Sequence, residues 1–154
     1  MKARLAAAAA VSVLAAAGVL VSKWEGKHNA AYLDPIGIPT VCYGHTGPEV
    51  KLGQSYTDAQ CMALLEADLL EAQQVVDQCI PETREPHQTA ALISATFNVG
   101  PRVVCGSTLQ RLAKAGDWAG ACAELDRWKY AGGRVYRGLV LRRADERALC
   151  EGRL

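Results

Sequence analysis

Uncharged and polar positions divide this chain unevenly. Leu5 to Ser22 is an unbroken run of 18 uncharged residues, eleven of them Ala, Gly or Ser, behind a flank holding Lys2 and Arg4. Trp24-Glu25-Gly26 closes the run, which predicts Glu25 at the end of a buried helix. Residues 32–56 are rich in Gly, Pro, Tyr and Thr and read as a small β-lobe, with a short strand in the alternation Thr40-Val41-Cys42-Tyr43. Thr57 and Gln60 form a capping box, opening a helix to about Gln78 that joins two lobes. Pro86 sits near the start of a helix ending at Asn98 or Gly100. Ser107 or Thr108 caps a helix that stops at Gly116. Asp117 caps the next, which carries Trp118, Leu125 and Trp128 and ends at Gly132-Gly133. A last helix runs from about Val135 to Cys150. The fold class is α+β, mainly helical: a small β-lobe, a long interlobe helix, a helical C-terminal lobe, and a cleft between the lobes.

Composition and charge sharpen this picture. The 154 residues suit one domain with its own core. The formal charge of +1 is unevenly spread. Residues 1–100 carry 6 Lys/Arg against 10 Asp/Glu, and residues 101–154 carry 11 against 6. A basic C-terminal lobe suits an anionic polymer, while a solvated arginine-rich helix face would give the same count. There is no basic–aromatic stripe or nucleic-acid motif, so no nucleic-acid partner is expected. The six cysteines (Cys42, Cys61, Cys79, Cys105, Cys122, Cys150) lack CxxC or zinc spacing. An even count beside an export segment reads as disulfides in an oxidising compartment, against buried thiols as the alternative. Connectivity does not follow from the sequence. The pairing expected is Cys42–Cys61, Cys79–Cys105 and Cys122–Cys150.

Candidate chemistry lies between residues 23 and 47. Eight residues separate Glu25 from Asp34, and five separate Asp34 from Thr40. Asp34-Pro35 and Gly37 are turn residues, which places Asp34 on a loop, solvated and ionised. Glu25, on a buried helix, is expected to have a raised pKa. Two carboxylates in such different surroundings divide into a proton donor and a water-activating base, as an inverting glycosidase requires. The plain alternative is a pair of ordinary surface acids. Neither a Ser/His/Asp triad nor a cysteine nucleophile is suggested.

The surrounding motifs resemble the phage-type lysozymes (glycoside hydrolase family 24), over roughly residues 19–150. They are WEG at Trp24, AYLDPIGIPT ending at Thr40, TVCYGHTG ending at Gly47, FNVG at Phe97, STL at Ser107, DRWKYAGG ending at Gly133, and GLVLRR ending at Arg143, in the family's order. The resemblance implies a muramidase of the peptidoglycan glycan, with Glu25 as acid, Asp34 as the carboxylate acting on water, and Thr40 helping to hold that water. Some members carry Cys where this chain has Asp34, so redox control at that position is absent here. The resemblance also implies that His45 pairs with a carboxylate on the interlobe helix. Asp68 fits by spacing, and such a pair would raise the His pKa and depress the Asp pKa. Asn98 and Trp128 are expected to line the cleft, with core packing as the alternative for Trp128. An arginine of the last helix is expected to pair with Glu25. Arg134, Arg137 and Arg142 are candidates, with Arg142 preferred. No cofactor or metal is implied, and a monomer is expected.

The N-terminal run then has three readings. Ala15-Ala16-Ala17 offers a signal-peptidase site. The length is at the short limit for a permanent span. The third reading is a signal-anchor-release segment, as in endolysins of phages infecting Gram-negative hosts. Alanine gains little from hydrocarbon, so such a span is weakly held. The same residues must also supply the two to three helical turns before Glu25, each of ~3.6 residues. The domain division expected is an anchor over residues 1–22, overlapping a catalytic domain over 19–154. The protein would sit in the host inner membrane, N-terminus inside, and later enter the periplasm. Those relatives' anchors sometimes contain a cysteine and this one does not, so its control would be steric. Competing functions are a lytic transglycosylase, a secreted lysozyme with a cleaved signal, a non-catalytic wall-binding module and a holin-like peptide.

Overall fold

The computed structural model describes residues 2–154, and the side chains of residues 13–154. Helix α1 spans Lys2–Glu25. Strands β1 (His28–Leu33), β2 (Pro39–Cys42) and β3 (His45–Thr46) form an antiparallel sheet in that order. Helix α2 is Asp58–Cys79 and α3 is Pro86–Val99. After them come α4 (Thr108–Lys114), α5 (Trp118–Glu124), a hairpin of β4 (Tyr130–Ala131) and β5 (Arg134–Val135), and α6 (Arg137–Cys150).

Helix α3 is the hub of the C-terminal lobe. Residues 90–96 are all buried, and α1, α2 and α6 pack around them. A helix buried on every side needs small residues where its neighbours come close, and Ala90, Ala91, Ser94 and Ala95 supply them. Helix α1 contributes Val13, Ala17, Leu20 and Val21 to this core. Their i, i+4, i+7, i+8 spacing is one helical face. Burying a residue such as Leu20 or Val21 contributes about 1.5–3 kcal/mol.

The β-lobe has a smaller core of Val41, Cys42, Val50 and Cys61. The Cys42–Cys61 disulfide ties β2 to the start of α2. Cys79–Cys105 ties the end of α2 to the segment before α4, and Cys122–Cys150 ties α5 to α6. The Thr57/Gln60 capping box is formed in full. Ser107 caps α4 and Asp117 caps α5 through their side chains.

Two sequence expectations need correction. The β-lobe begins at His28, because β1 starts three residues after Glu25 and pairs with β2. The Asp117-capped helix ends at Glu124, passes through a 3-10 turn at Leu125–Arg127, and does not reach Gly132-Gly133. These two glycines have φ of 55° and 76° and form the two-residue loop joining β4 to β5. Positive φ at both loop positions is what a tight hairpin demands.

Part of the expected membrane segment, residues 5–12, lies outside the residues with described side chains. Among the described residues no helix is long and apolar enough to cross a membrane.

Candidate active site

Glu25 is the last residue of α1, and Gly26 follows at φ 68°, the left-handed conformation that commonly ends a helix. Two contacts fix this end against α6. Trp24 Nε1 donates to Asp145 Oδ2 at 3.0 Å, and Lys23 Nζ reaches the same oxygen at 2.6 Å. The Glu25 side chain is 23% exposed and so is not sealed in the apolar core as its helix suggested. Arg142 Nη1 donates to Glu25 Oε1 at 2.5 Å. Of the three candidate arginines, Arg134 and Arg137 are exposed and Arg142 alone is buried.

The β2–β3 turn closes on the other side of Glu25. Gly44 has φ 82°, and a Cβ there would lie 3.3 Å from Glu25 Oε2. Only glycine lets this turn adopt its conformation and approach the carboxylate so closely.

Asp34 follows β1 and is held by its own loop. Its Oδ1 accepts from Ile36 N at 2.9 Å and Ile38 N at 2.8 Å, and its backbone N donates to Ile38 O at 3.0 Å. These bonds fix the carboxylate's orientation and occupy one oxygen. Thr40 is buried on β2, and its Oγ1 donates to Ile38 O at 3.0 Å. Asp34 and Thr40 are thus joined through Ile38.

His45 bridges the lobes. Its Nδ1 lies 2.8 Å from Asp68 Oδ2 on α2, and its Nε2 lies 2.7 Å from Glu49 Oε1. Burial alone would lower the His45 pKa, but the bonds to Glu49 and Asp68 outweigh it and raise it. The expected depression at Asp68 does not occur: burial, the largest influence, raises its pKa and outweighs the pull of His45. The bond to His45 lowers the pKa of exposed Glu49.

Two cavities take in the supporting residues, and neither is lined by Glu25, Asp34 or Thr40. One, of about 350 Å³, is lined by Gly44, His45, Asp68, Thr96 and Phe97 among others. The second, of about 580 Å³, lies between Asn98, Trp128, Tyr130 and Leu139. Trp128 is partly buried against the core and also lines this cavity, so both of its readings describe the same ring. Asn98 Oδ1 accepts from Arg143 Nη2 at 2.7 Å.

Beneath the cleft lies a group that the sequence did not single out. Glu146, Arg143 and Ser94 are fully buried beside Arg142. Ser94 Oγ donates to Glu146 Oε1 at 2.8 Å, and Arg142 Nε donates to the same oxygen at 3.1 Å. Arg143 Nε approaches Glu146 Oε2 at 2.8 Å as an ion contact without hydrogen-bond alignment. Burial raises the Glu146 pKa against the pull of both arginines, and lowers that of Arg143. The only signal in the sequence is that Glu146 stands four residues after Arg142 and three after Arg143, within reach of each on a helix.

The arrangement supplies a carboxyl beside a guanidinium at a helix end, and a second carboxylate oriented by backbone N–H groups. It is suited to acid–base chemistry.

Known proteins share this build. A family model described as phage lysozyme matches residues 22–146. The SAR-endolysin of Enterobacteria phage P21 is 40% identical over 155 residues, covering 96% of this chain and 94% of its own. The crystal structure of the active form of P1 phage endolysin Lyz superposes with TM-score 0.82 at 28% identity, over 88% of this chain and 83% of that one. The secreted inactive form of the same endolysin gives 0.55 at 27% identity, over 69% and 76%. The chain, with its helix-end glutamate, its loop aspartate and its two-lobed cleft, belongs to the phage lysozyme family.

Proposed function

We propose that this muramidase-type, peptidoglycan-lytic enzyme hydrolyses the β-1,4 bond between N-acetylmuramic acid and N-acetylglucosamine with inversion. Glu25 protonates the leaving oxygen. Asp34, with Thr40, holds and activates a water on the opposite face of the sugar. The observation that carries this reading is Glu25, partly exposed at the end of α1 and locked between Arg142 and Gly44. Asp34 supports it with one carboxylate oxygen committed to its loop and the other without a bonded partner among the described residues. Product analysis by mass spectrometry tests it. Reducing muramic ends are expected, and anhydro ends would assign a transglycosylase instead. Glu25→Gln should abolish lysis, and persistence of lysis would remove the acid role.

The same proposal extends to the N-terminus. Residues 1–22 anchor the chain in the host inner membrane, N-terminus inside, and on release enter the catalytic domain of residues 19–154 in the periplasm, as a monomer. Support comes from the SAR-endolysin relative aligned over 96% of this chain and from the closer likeness to the active P1 form. Val13, Ala17, Leu20 and Val21 lie in the folded core, so they are unavailable to a bilayer while docked. Intact mass of the membrane and soluble forms tests this. Equal masses with activity only in the soluble form are expected, and a soluble form beginning after Ala17 would assign a cleaved signal.

A further inference from the structure

We propose that Glu146 and Ser94 are positioning residues: a buried carboxylate and its hydroxyl partner that fix Arg142 on Glu25 and Arg143 on Asn98. The inference rests on the reading of Glu25 as the acid.

Glu146 is wholly buried, yet its Oε1 receives three donors: Ser94 Oγ at 2.8 Å, Arg142 Nε at 3.1 Å and Arg143 Nη2 at 3.3 Å. Consecutive residues on a helix diverge by about 100°. Glu146, one turn onward at i+4 and i+3, is where the two arginines can share a counterion. From there they part. Arg142 Nη1 goes to Glu25 on α1, and Arg143 Nη2 goes to Asn98 Oδ1 beside the second cavity. One buried carboxylate thus sets the direction of both.

Stability does not account for such a cluster. A buried ionic triad is often no more stabilising than well-packed apolar residues of similar volume. Two of its members, however, reach out to Glu25 and Asn98. A general acid must pass between protonated and ionised forms in each turnover. A guanidinium held by Glu25 alone would lose its anchor whenever Glu25 gained a proton. Held also at Nε by Glu146, Arg142 keeps its place through the cycle. Ser94 reaches Glu146 from α3, the most buried helix, so the hub cannot follow movements of the cleft wall.

The test measures turnover of soluble glycan fragments and urea unfolding for the full chain in its soluble form. Glu146→Gln should lower kcat by about 100-fold through misplacement of Arg142, with KM changed by no more than about twofold. Ser94→Ala, which keeps every charge, should lower kcat by about fivefold. In an Arg142→Met background the Glu146→Gln loss should largely vanish, because the residue acts through Arg142. Losses that multiply in the double variant, or a folded Glu146→Gln with unchanged kcat, would overturn the proposal. If Glu146→Gln does not fold, Ser94→Ala decides: unchanged kcat counts against the proposal. Glu25→Gln run alongside separates the two levels. An active Glu25→Gln removes the underlying assignment, whereas an inactive one beside unaffected Glu146 and Ser94 variants removes this inference alone.

Discussion

Arg142 on α6 and Glu25 on α1 lie 117 residues apart in the chain and are joined by a 2.5 Å bond between Nη1 and Oε1. The site therefore exists only when the first and last helices are both docked. A buried guanidinium with carboxylates on two sides is held more firmly than either pair alone would hold it, since it keeps one counterion when the other is neutralised.

Removing that guanidinium tests the arrangement. Arg142→Met frees Glu25 and leaves Glu146 with Arg143 as its only arginine. Urea unfolding should report a loss of about 3 kcal/mol, and turnover should fall steeply. A variant with full turnover would mean that Glu25 needs no partner.

Gly44 carries a second prediction. An alanine there must adopt φ 82° and place its Cβ 3.3 Å from Glu25 Oε2. The left-handed backbone costs about 1–2 kcal/mol, and the displaced carboxylate should lower kcat by about 100-fold. Gly53 separates the two effects. It has φ 85°, and a Cβ there would meet nothing within 4 Å, so Gly53→Ala should lose similar stability and keep its turnover. Equal turnover losses in both variants would assign the Gly44 effect to strain alone.

The His45 bridge predicts a pH dependence of stability. Its pKa is raised in the folded state, so its contribution is fully present below its ordinary value of 6.5. That contribution is lost as pH rises through the raised value. The acid groups around it act elsewhere: Asp68 is raised from 3.8 and Glu49 lowered from 4.5. Urea midpoints should therefore fall as pH rises above 6.5 and through the raised His45 value, and His45→Asn should flatten that fall. An unaltered slope in the variant would remove His45 as its source.

The anchor reading gives a fourth expectation. Replacing Ala6, Ala8 and Ala10 with leucine makes the segment more favourable in hydrocarbon. Membrane fractionation should show more retained protein and lysis should be delayed. Normal release would mean that alanine content does not set the hold.

What was legible in the sequence was local. Thr57 and Gln60 announce α2 because a capping box needs only four neighbouring residues. His45 and Asp68 could be paired only because the family resemblance implies a histidine–carboxylate pair on the interlobe helix, which Asp68 fits by spacing. Gly132-Gly133 misled, because glycines at a helix end and in a hairpin loop look alike until the flanking pairing of Ala131 with Arg134 is known. Glu146 was silent for a different reason. Its partner Ser94 is 52 residues away on another helix, and a glutamate among arginines reads as a solvated face until burial is known. Asp68 had the right neighbour but the wrong direction of shift, since burial cannot be judged from spacing.

The three disulfides join Cys42 to Cys61, Cys79 to Cys105 and Cys122 to Cys150, so their loops follow one another without nesting or crossing. If the residues after the N-terminal anchor cross a membrane in sequence order, each cysteine meets its correct partner before any later cysteine emerges. Oxidation in order of arrival then yields the native set, and an oxidase suffices where interleaved bridges would also demand an isomerase.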